Sequence, residues 1–245
     1  MLSKNQIKLI RSLELKKNRK RENLFVAEGP KVVGDLLKAG FRAHAIFATK
    51  PYGNAQQVTD DELRRISFLQ HPQEVLALFE ISSSNHTSQF SVLRSQLILA
   101  LDGIQDPGNL GTIIRIADWF GISTIFCSQD TVDCYNPKVV QATMGSIAHV
   151  KMVYCDLVKL LSETQLPVYG TLLDGENIYQ QELKPEGIIV MGNEGNGISK
   201  EVRPLVTHRL LIPNFSTQPE TAESLNVAIA TAITCSEFRR RIRTA

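Results

Sequence analysis

Leu97-Ile98-Leu99-Ala100-Leu101 runs directly into Asp102-Gly103-Ile104-Gln105-Asp106-Pro107-Gly108-Asn109, and this passage decides the fold. Five consecutive apolar residues leave no polar face, which predicts a strand covered on both sides, as in a parallel sheet. The residues that follow, Asp, Gly, Pro and Asn, are those that turn a chain. Apolar positions then recur at helical spacing, predicting a helix over 109–120. Strand, polar loop and helix form the repeating unit of an α/β domain.

The same rhythm continues toward the C-terminus. Strands are predicted over 124–127, 149–154, 168–173, 188–191 and 209–212, and helices over 137–144, 156–164 and 224–243. Together they predict an α/β domain with a mainly parallel sheet. Toward the N-terminus the pattern is shorter and more mixed. Ser3 with Gln6 matches a capping box and opens a helix with Ile7, Ile10 and Leu13 on its apolar stripe. Strands follow at 24–26 and 45–49 and an apolar run at 75–81, with a helix from Pro30 to Gly40 and a short one capped by Asp60. The Ser-rich stretch from Ser82 to Ser88 has the composition of a linker, so a boundary is expected between 82 and 96, separating domains of residues 1–88 and 96–245.

A net charge of +2 conceals a skew: eight Lys and Arg stand between Lys4 and Arg21 with Glu14 the only acid, and Arg239, Arg240, Arg241 and Arg243 close the chain. Such runs suit a polyanionic partner, or are simply a solvated helix face and a frayed tail. Cys127, Cys134, Cys155 and Cys235 lack metal-site spacing and sit in apolar stretches, as expected of reduced, buried thiols in the cytoplasm. The five histidines are scattered, so no metal is expected; no apolar run has the length of a membrane span, and no secretory segment opens the chain.

Ligands of parallel α/β sheets bind beyond the carboxyl ends of the strands. Three such ends are rich in Gly, Asn and charge: 102–109, Gly192-Asn193-Glu194-Gly195-Asn196-Gly197, and Pro213-Asn214-Phe215-Ser216-Thr217-Gln218. One such loop reads best as a plain turn; three in one domain point to a binding crevice. The second loop is not a dinucleotide-binding Gly-x-Gly-x-x-Gly, and the chain has neither a phosphate-binding Gly-Lys-Ser/Thr loop nor a Gly-x-Ser-x-Gly elbow. The chemistry left to Asn, Arg, Glu, Ser and backbone groups is positioning and electrostatics.

These motifs, in order, resemble the SpoU (TrmH-like) branch of the SPOUT methyltransferases. Leu101 to Asp118 is similar to the first family motif, Asn136 to Val140 and Met144 to Ser146 to the stretch after it, Val190 to Ser199 to the second motif, and Leu211 to Pro213 with Ser224 to Val227 to the third. The likeness covers about residue 97 to the end. Asn23 to Val33 resembles the L30e-like substrate-binding module of ribosomal members. The resemblance implies a C-terminal trefoil knot, S-adenosylmethionine as cofactor, a homodimer, and methylation of an RNA ribose 2′-hydroxyl, with ribosomal RNA favoured. A tRNA enzyme and a non-catalytic RNA-binding protein on the same fold are the alternatives.

Carried over by motif, Gly192, Ile212 and Leu225 contact the cofactor, although Ile212 and Leu225 also read as core. Arg115 is the family's catalytic arginine. A guanidinium stays protonated at neutral pH, so bidentate orientation of hydroxyl and phosphate is the easier role. Asn109 is expected to hold Arg115 or its loop, or to cap the helix; Glu194 to orient the arginine or line the pocket, or to be a solvated acid. Ser224 reads as catalytic or as the cap of the last helix, with Asn226 facing the pocket one turn in. The loop from Asn214 to Glu223 is longer than the family's and lacks its glycine.

Overall fold

The computed structural model describes residues 1–81, 96–218 and 222–241; the boundary expected between 82 and 96 lies almost wholly outside them. The chain divides into two compact units, Met1–Asn85 with Asp133–His149, and His86–Val132 with Val150–Ala245. The expected division was collinear, whereas residues 133–149 leave the second half of the chain and pack with the first.

The first unit opens with α1 (Lys4–Ser12), whose capping box forms as read: Ser3 Oγ accepts from Gln6 N at 3.1 Å while Ser3 N donates to Gln6 Oε1 at 2.8 Å. A second helix, α2 (Lys16–Glu22), was not foreseen, because Lys-Lys-Asn-Arg-Lys-Arg-Glu carries no apolar period. Its docking is polar. Arg19 is 1% exposed; its Nε and Nη2 donate to Asp133 Oδ2 at 3.0 and 2.6 Å, and Nη1 donates to the carbonyls of Leu13 and Glu14. Arg19 is therefore a core residue and leaves the set of cations that can meet RNA.

The sheet of this unit orders β1 (Leu24–Glu28), β4 (Val75–Glu80), β2 (Ala43–Ala48) and β3 (Gln56–Gln57), antiparallel except for the last pair. β1 is buried on both faces. α3 (Pro30–Lys38) and α6 (Pro137–Ala142) both pack on it, and Tyr135 lies on Phe25 with ring centroids 4.6 Å apart. α4 (Asp60–Ile66) is capped by Thr59 rather than Asp60, again through a capping box, with Glu62.

The second unit is a six-stranded sheet in the order β10-β8-β9-β5-β6-β7, with every pairing parallel. Its strands are β5 (Leu97–Asp102), β6 (Thr124–Cys127), β7 (Lys151–Tyr154), β8 (Val168–Asn177), β9 (Gly187–Gly192) and β10 (His208–Leu211). The central β5 and β9 are buried at every position, as their unbroken apolar runs require. α7 (Leu157–Glu163), capped by Asp156, lays Leu157, Leu160 and Leu161 on one face, and α5 (Pro107–Trp119) packs beside α8 (Val227–Arg240).

Two helix starts differ from expectation, both for capping reasons. α5 begins at Pro107 because Asp106 accepts from Asn109 N at 2.7 Å. α8 begins at Val227, capped by Asn226, so Ser224 precedes the helix instead of capping it. Three of the C-terminal arginines are also spoken for, Arg243 lying outside the described residues: Arg239 donates to the carbonyls of Phe120 and Gly121, Arg240 pairs with Glu237, and Arg241 binds Glu237 and the carbonyls of Ile178, Gln181 and Tyr179. They fasten α8 to its own unit.

Removing one partner of a buried ion pair strands the other, at roughly 3–5 kcal/mol. Asp133→Ala should therefore cost about 3 kcal/mol in the stability of the first unit by urea titration. A loss below about 0.5 kcal/mol would place the pair in the class of surface pairs.

Candidate active site

The three polar loops project from the carboxyl ends of β5, β9 and β10, and side chains of the first two bond to each other and to Asn226 at the start of α8. Glu194 accepts from Gln105 N at 3.3 Å, Asp106 N at 3.2 Å and Asn109 Nδ2 at 3.0 Å. Asn109 Oδ1 in turn accepts from Asn226 Nδ2 at 2.9 Å, and Asn226 Oδ1 accepts from Ala228 N and Ile229 N at the start of α8. Both amide orientations are dictated by the ends of this chain. The helix can only donate and the carboxylate can only accept, so each Asn must turn its oxygen toward α8 and its nitrogen toward Glu194.

The network concentrates positive potential on one carboxylate. Partial burial pushes the Glu194 pKa up, but the bonds from Asn109 and from backbone N–H groups outweigh burial and hold it below its ordinary value. Glu194 is exposed, yet it is held by these bonds and makes none with Arg115 of its own chain; it clasps the 102–109 loop to the 192–197 loop. Asn109, one turn into α5, is not the cap but the link between that clasp and Asn226.

Asn193 completes the second loop, and sequence reasoning missed it. Its Nδ2 donates to Gly103 O at 2.6 Å, its Oδ1 accepts from Gly195 N and Asn196 N, and its backbone closes onto Gly197. An Asn whose side chain bonds two residues ahead is an Asx turn, so Asn-Glu-Gly was a usable signal. Asp102 was passed over too: it is buried at the end of β5 and accepts from Ser199 N at 2.7 Å. At Gly192 a Cβ would overlap the backbone of Gly197 and Ile198, so no other residue fits.

Ile212 and Leu225 are not core residues. Ile212 is half-buried and Leu225 is 49% exposed, on the loops flanking the clasp. Uncovered aliphatic side chains beside a backbone approach at Gly192 suit the flat apolar face of an adenine, and the chain supplies polar N–H and C=O groups around them. Ser224 is exposed. Arg115 is exposed on α5 and joins none of these bonds; six residues on from Asn109, it points about 120° away around the helix. The structure thus unites Asn109, Glu194 and Asn226 and leaves Arg115 apart.

A cavity of about 350 Å³ lined by Gln96, Leu97, Gly121, Ser123, Pro185 and Arg239 lies at the amino ends of β5 and β6, the edge opposite the loops. Among the described residues no cluster of His, Cys, Asp or Glu is placed to hold a metal, and no helix is long and apolar enough to cross a membrane.

Residues 96–236 match the model of the SpoU rRNA Methylase family. The chain belongs to that family. Residues 4–77 match the MRM3-like substrate binding domain. Over its full length the chain is 29% identical to the 23S rRNA (guanosine(2553)-2′-O)-methyltransferase RlmP of Bacillus subtilis, covering 97% of each protein. It is 32% identical to the 23S rRNA (guanosine-2′-O-)-methyltransferase RlmB of Neisseria meningitidis over 74% of each. Among solved structures, an RNA methyltransferase of the TrmH family from Porphyromonas gingivalis superposes with a TM-score of 0.86 at 41% identity, covering 98% of this chain and 99% of that one. An AdoMet-bound rRNA methyltransferase from Sinorhizobium meliloti gives 0.84 at 31% identity, over 99% and 97%. The family membership read from the motifs and the two-part α/β fold both stand.

Asn109→Asp tests the clasp by facing a second carboxylate toward Glu194. A depressed Glu194 pKa gives the wild type stability that is full above its unfolded value and lost as pH falls through the folded value. The variant should invert that sign, losing about 2 kcal/mol near pH 7 and recovering toward pH 5 as one carboxyl takes up a proton. Denaturation at several pH values measures it, and a variant that follows the wild-type curve rules the clasp out.

Proposed function

We propose that the chain transfers the methyl group of S-adenosylmethionine to a ribose 2′-hydroxyl of ribosomal RNA, in the cytoplasm and as a homodimer. The observation that carries this reading is the chain of bonds Glu194–Asn109–Asn226, which ties the three motif loops at the carboxyl ends of parallel strands in a family of rRNA methylases. A relative that matches 97% of the chain, and another that matches 74%, act on 23S rRNA by name, which favours ribosomal RNA over tRNA.

Gly192, Ile212 and Leu225 would hold the cofactor. When bound, it supplies a methyl group on a sulfonium, already a good leaving group. The chain's task is to hold the hydroxyl oxygen in line and exclude wrong geometries, which accounts for much of the acceleration in such reactions. Arg115 orients the hydroxyl and the neighbouring phosphate through its fork of donors rather than removing the proton. Glu194, Asn109 and Asn226 act through position: they fix the loops around that geometry. The parallel order β10-β8-β9 is consistent with the trefoil knot, as is the close passage of Gly175 against the backbone of Leu210.

The dimer reading rests on α5 and α8. Trp119, one turn beyond Arg115, is 85% exposed, and Ile229 on the adjacent helix is 52% exposed. A two-fold interface over this face would bury both and carry Arg115 toward the partner's loops, from which it stands apart in its own chain. Trp119 is the single tryptophan, so its emission reports the interface directly. Trp119→Glu should sediment as a monomer without methyl transfer, and a dimeric variant with wild-type activity counts against this face.

Arg115→Ala should abolish methyl transfer while leaving S-adenosylmethionine affinity, by calorimetry, within a few fold; lysine should rescue poorly. Co-expression of Arg115→Ala with Asn109→Asp, each inactive alone, then tests the composite site. Half of randomly assorted dimers are mixed, and each has one intact site, so about a quarter of the activity should return. Mixed dimers that regain nothing would mean that Arg115 serves its own subunit.

A further inference from the structure

Residues 143–146 follow the first motif, and nothing in the site described above uses them. They pack in the first unit, where their backbone is held in an unfavourable conformation. Met144 has φ +52° and Gly145 φ +102°. Glycine meets that requirement freely, and Asn or Asp at little expense; an unbranched apolar residue meets it at a cost. The conformation is enforced by α3. Lys31 Nζ donates to Met144 O at 2.6 Å and to Asp35 Oδ2 at 3.0 Å, and Asp35 occupies the space a Cβ on Gly145 would need. Two charged side chains one turn apart thus hold a turn in which Met144 carries the backbone cost and Gly145 allows the close approach.

The clamp is not there to bury the methionine, whose residue remains 41% exposed. Met144 follows the cap of α6, where positive φ ends the helix and its N–H donates to Gln141 O, but Gly or Asn would make that turn at less cost, and the exposed apolar side chain serves no core. Strain that the surroundings over-determine is characteristic of ligand contacts. The unit that carries it has fifteen Lys and Arg against ten Asp and Glu, an excess that attracts a polyanion. Lys138, in the same segment, is exposed.

We infer that Met144 is a specificity-determining contact for RNA, an apolar wedge against an unstacked nucleobase of the substrate, with Lys31 and Asp35 as its positioning residues. A flexible thioether chain packs against the flat face of any base, and proteins that hold unpaired or kinked nucleic acid insert such side chains. The inference rests on the RNA methyltransferase reading and adds a contact outside the loops of the second unit.

The test uses the full-length protein and deproteinised large-subunit ribosomal RNA from a strain lacking the gene. Met144→Ala should raise the Kd and KM for this RNA about tenfold, within the range of one base contact, with kcat and S-adenosylmethionine affinity little changed. Met144→Leu should stay within about twofold of wild type, since an aliphatic chain of similar size keeps the contact. Met144→Gly relieves the backbone strain, so its thermal midpoint should match or exceed wild type while RNA affinity falls; a purely structural residue would not move the two in opposite directions. Folded Ala and Gly variants that bind the RNA as tightly as wild type overturn the inference, as does a loss of affinity explained by a change in sedimenting mass. If the wild-type protein neither binds nor methylates this RNA, it is the ribosomal reading that fails, and this inference goes with it.

Discussion

A hydrogen bond has a direction, and the candidate active site depends on one direction being kept through four groups. The N–H groups at the start of α8 donate to Asn226, which donates to Asn109, which donates to Glu194. Each amide must present an oxygen on one side and a nitrogen on the other, so Asp, which only accepts, or Leu, which does neither, breaks the order at either position. The chain links an acid in one loop to a helix start that follows another, residues separated by tens of positions in sequence. It joins two loops and a helix start into one bonded rim. The partial positive charge of two helix N-termini is thereby brought to bear on a single carboxylate.

Much of this was legible from the residues. Leu97 to Leu101 read as a buried parallel strand and is one, with β9 and β6 on either side. The loops rich in Gly and Asn lie where the open-sheet rule puts them. What was not legible is pairing. Nothing local in Glu194 says that it accepts from the backbone at 105 and 106, because that contact exists only once the two strands are neighbours. Helix starts were displaced by two or three residues because competing caps stood in a row: Asp106 and Asn109, Ser224 and Asn226. α2 escaped notice because its anchor is a buried guanidinium rather than an apolar stripe.

Charge was the least reliable guide. The N-terminal run and the C-terminal arginines look alike in sequence and differ in the fold. Arg19 lies in the core against Asp133, while Arg239 and Arg241 spend their donors on backbone carbonyls. Guanidinium groups are suited to this use, since five donors in a plane can satisfy several orphan carbonyls at once. Lysines do not do so as readily, and Lys17 and Lys20 remain exposed. Counting basic residues therefore overstates a polyanion surface in proportion to how many are arginines near chain ends and helix corners.

The excursion of residues 133–149 bears on how the chain is made. Phe25 in β1 is covered by Tyr135, and Arg19 finds its counter-charge on Asp133, more than a hundred residues downstream. As the polypeptide leaves the ribosome, the N-terminal module emerges first but lacks these pieces of its own interior until residue 149 has followed. A fragment cut at the linker would keep a guanidinium with no carboxylate and an aromatic face with no cover. The interior of the N-terminal unit is completed only after the first strands and helix of the other have been synthesised, so the two cannot be finished one at a time.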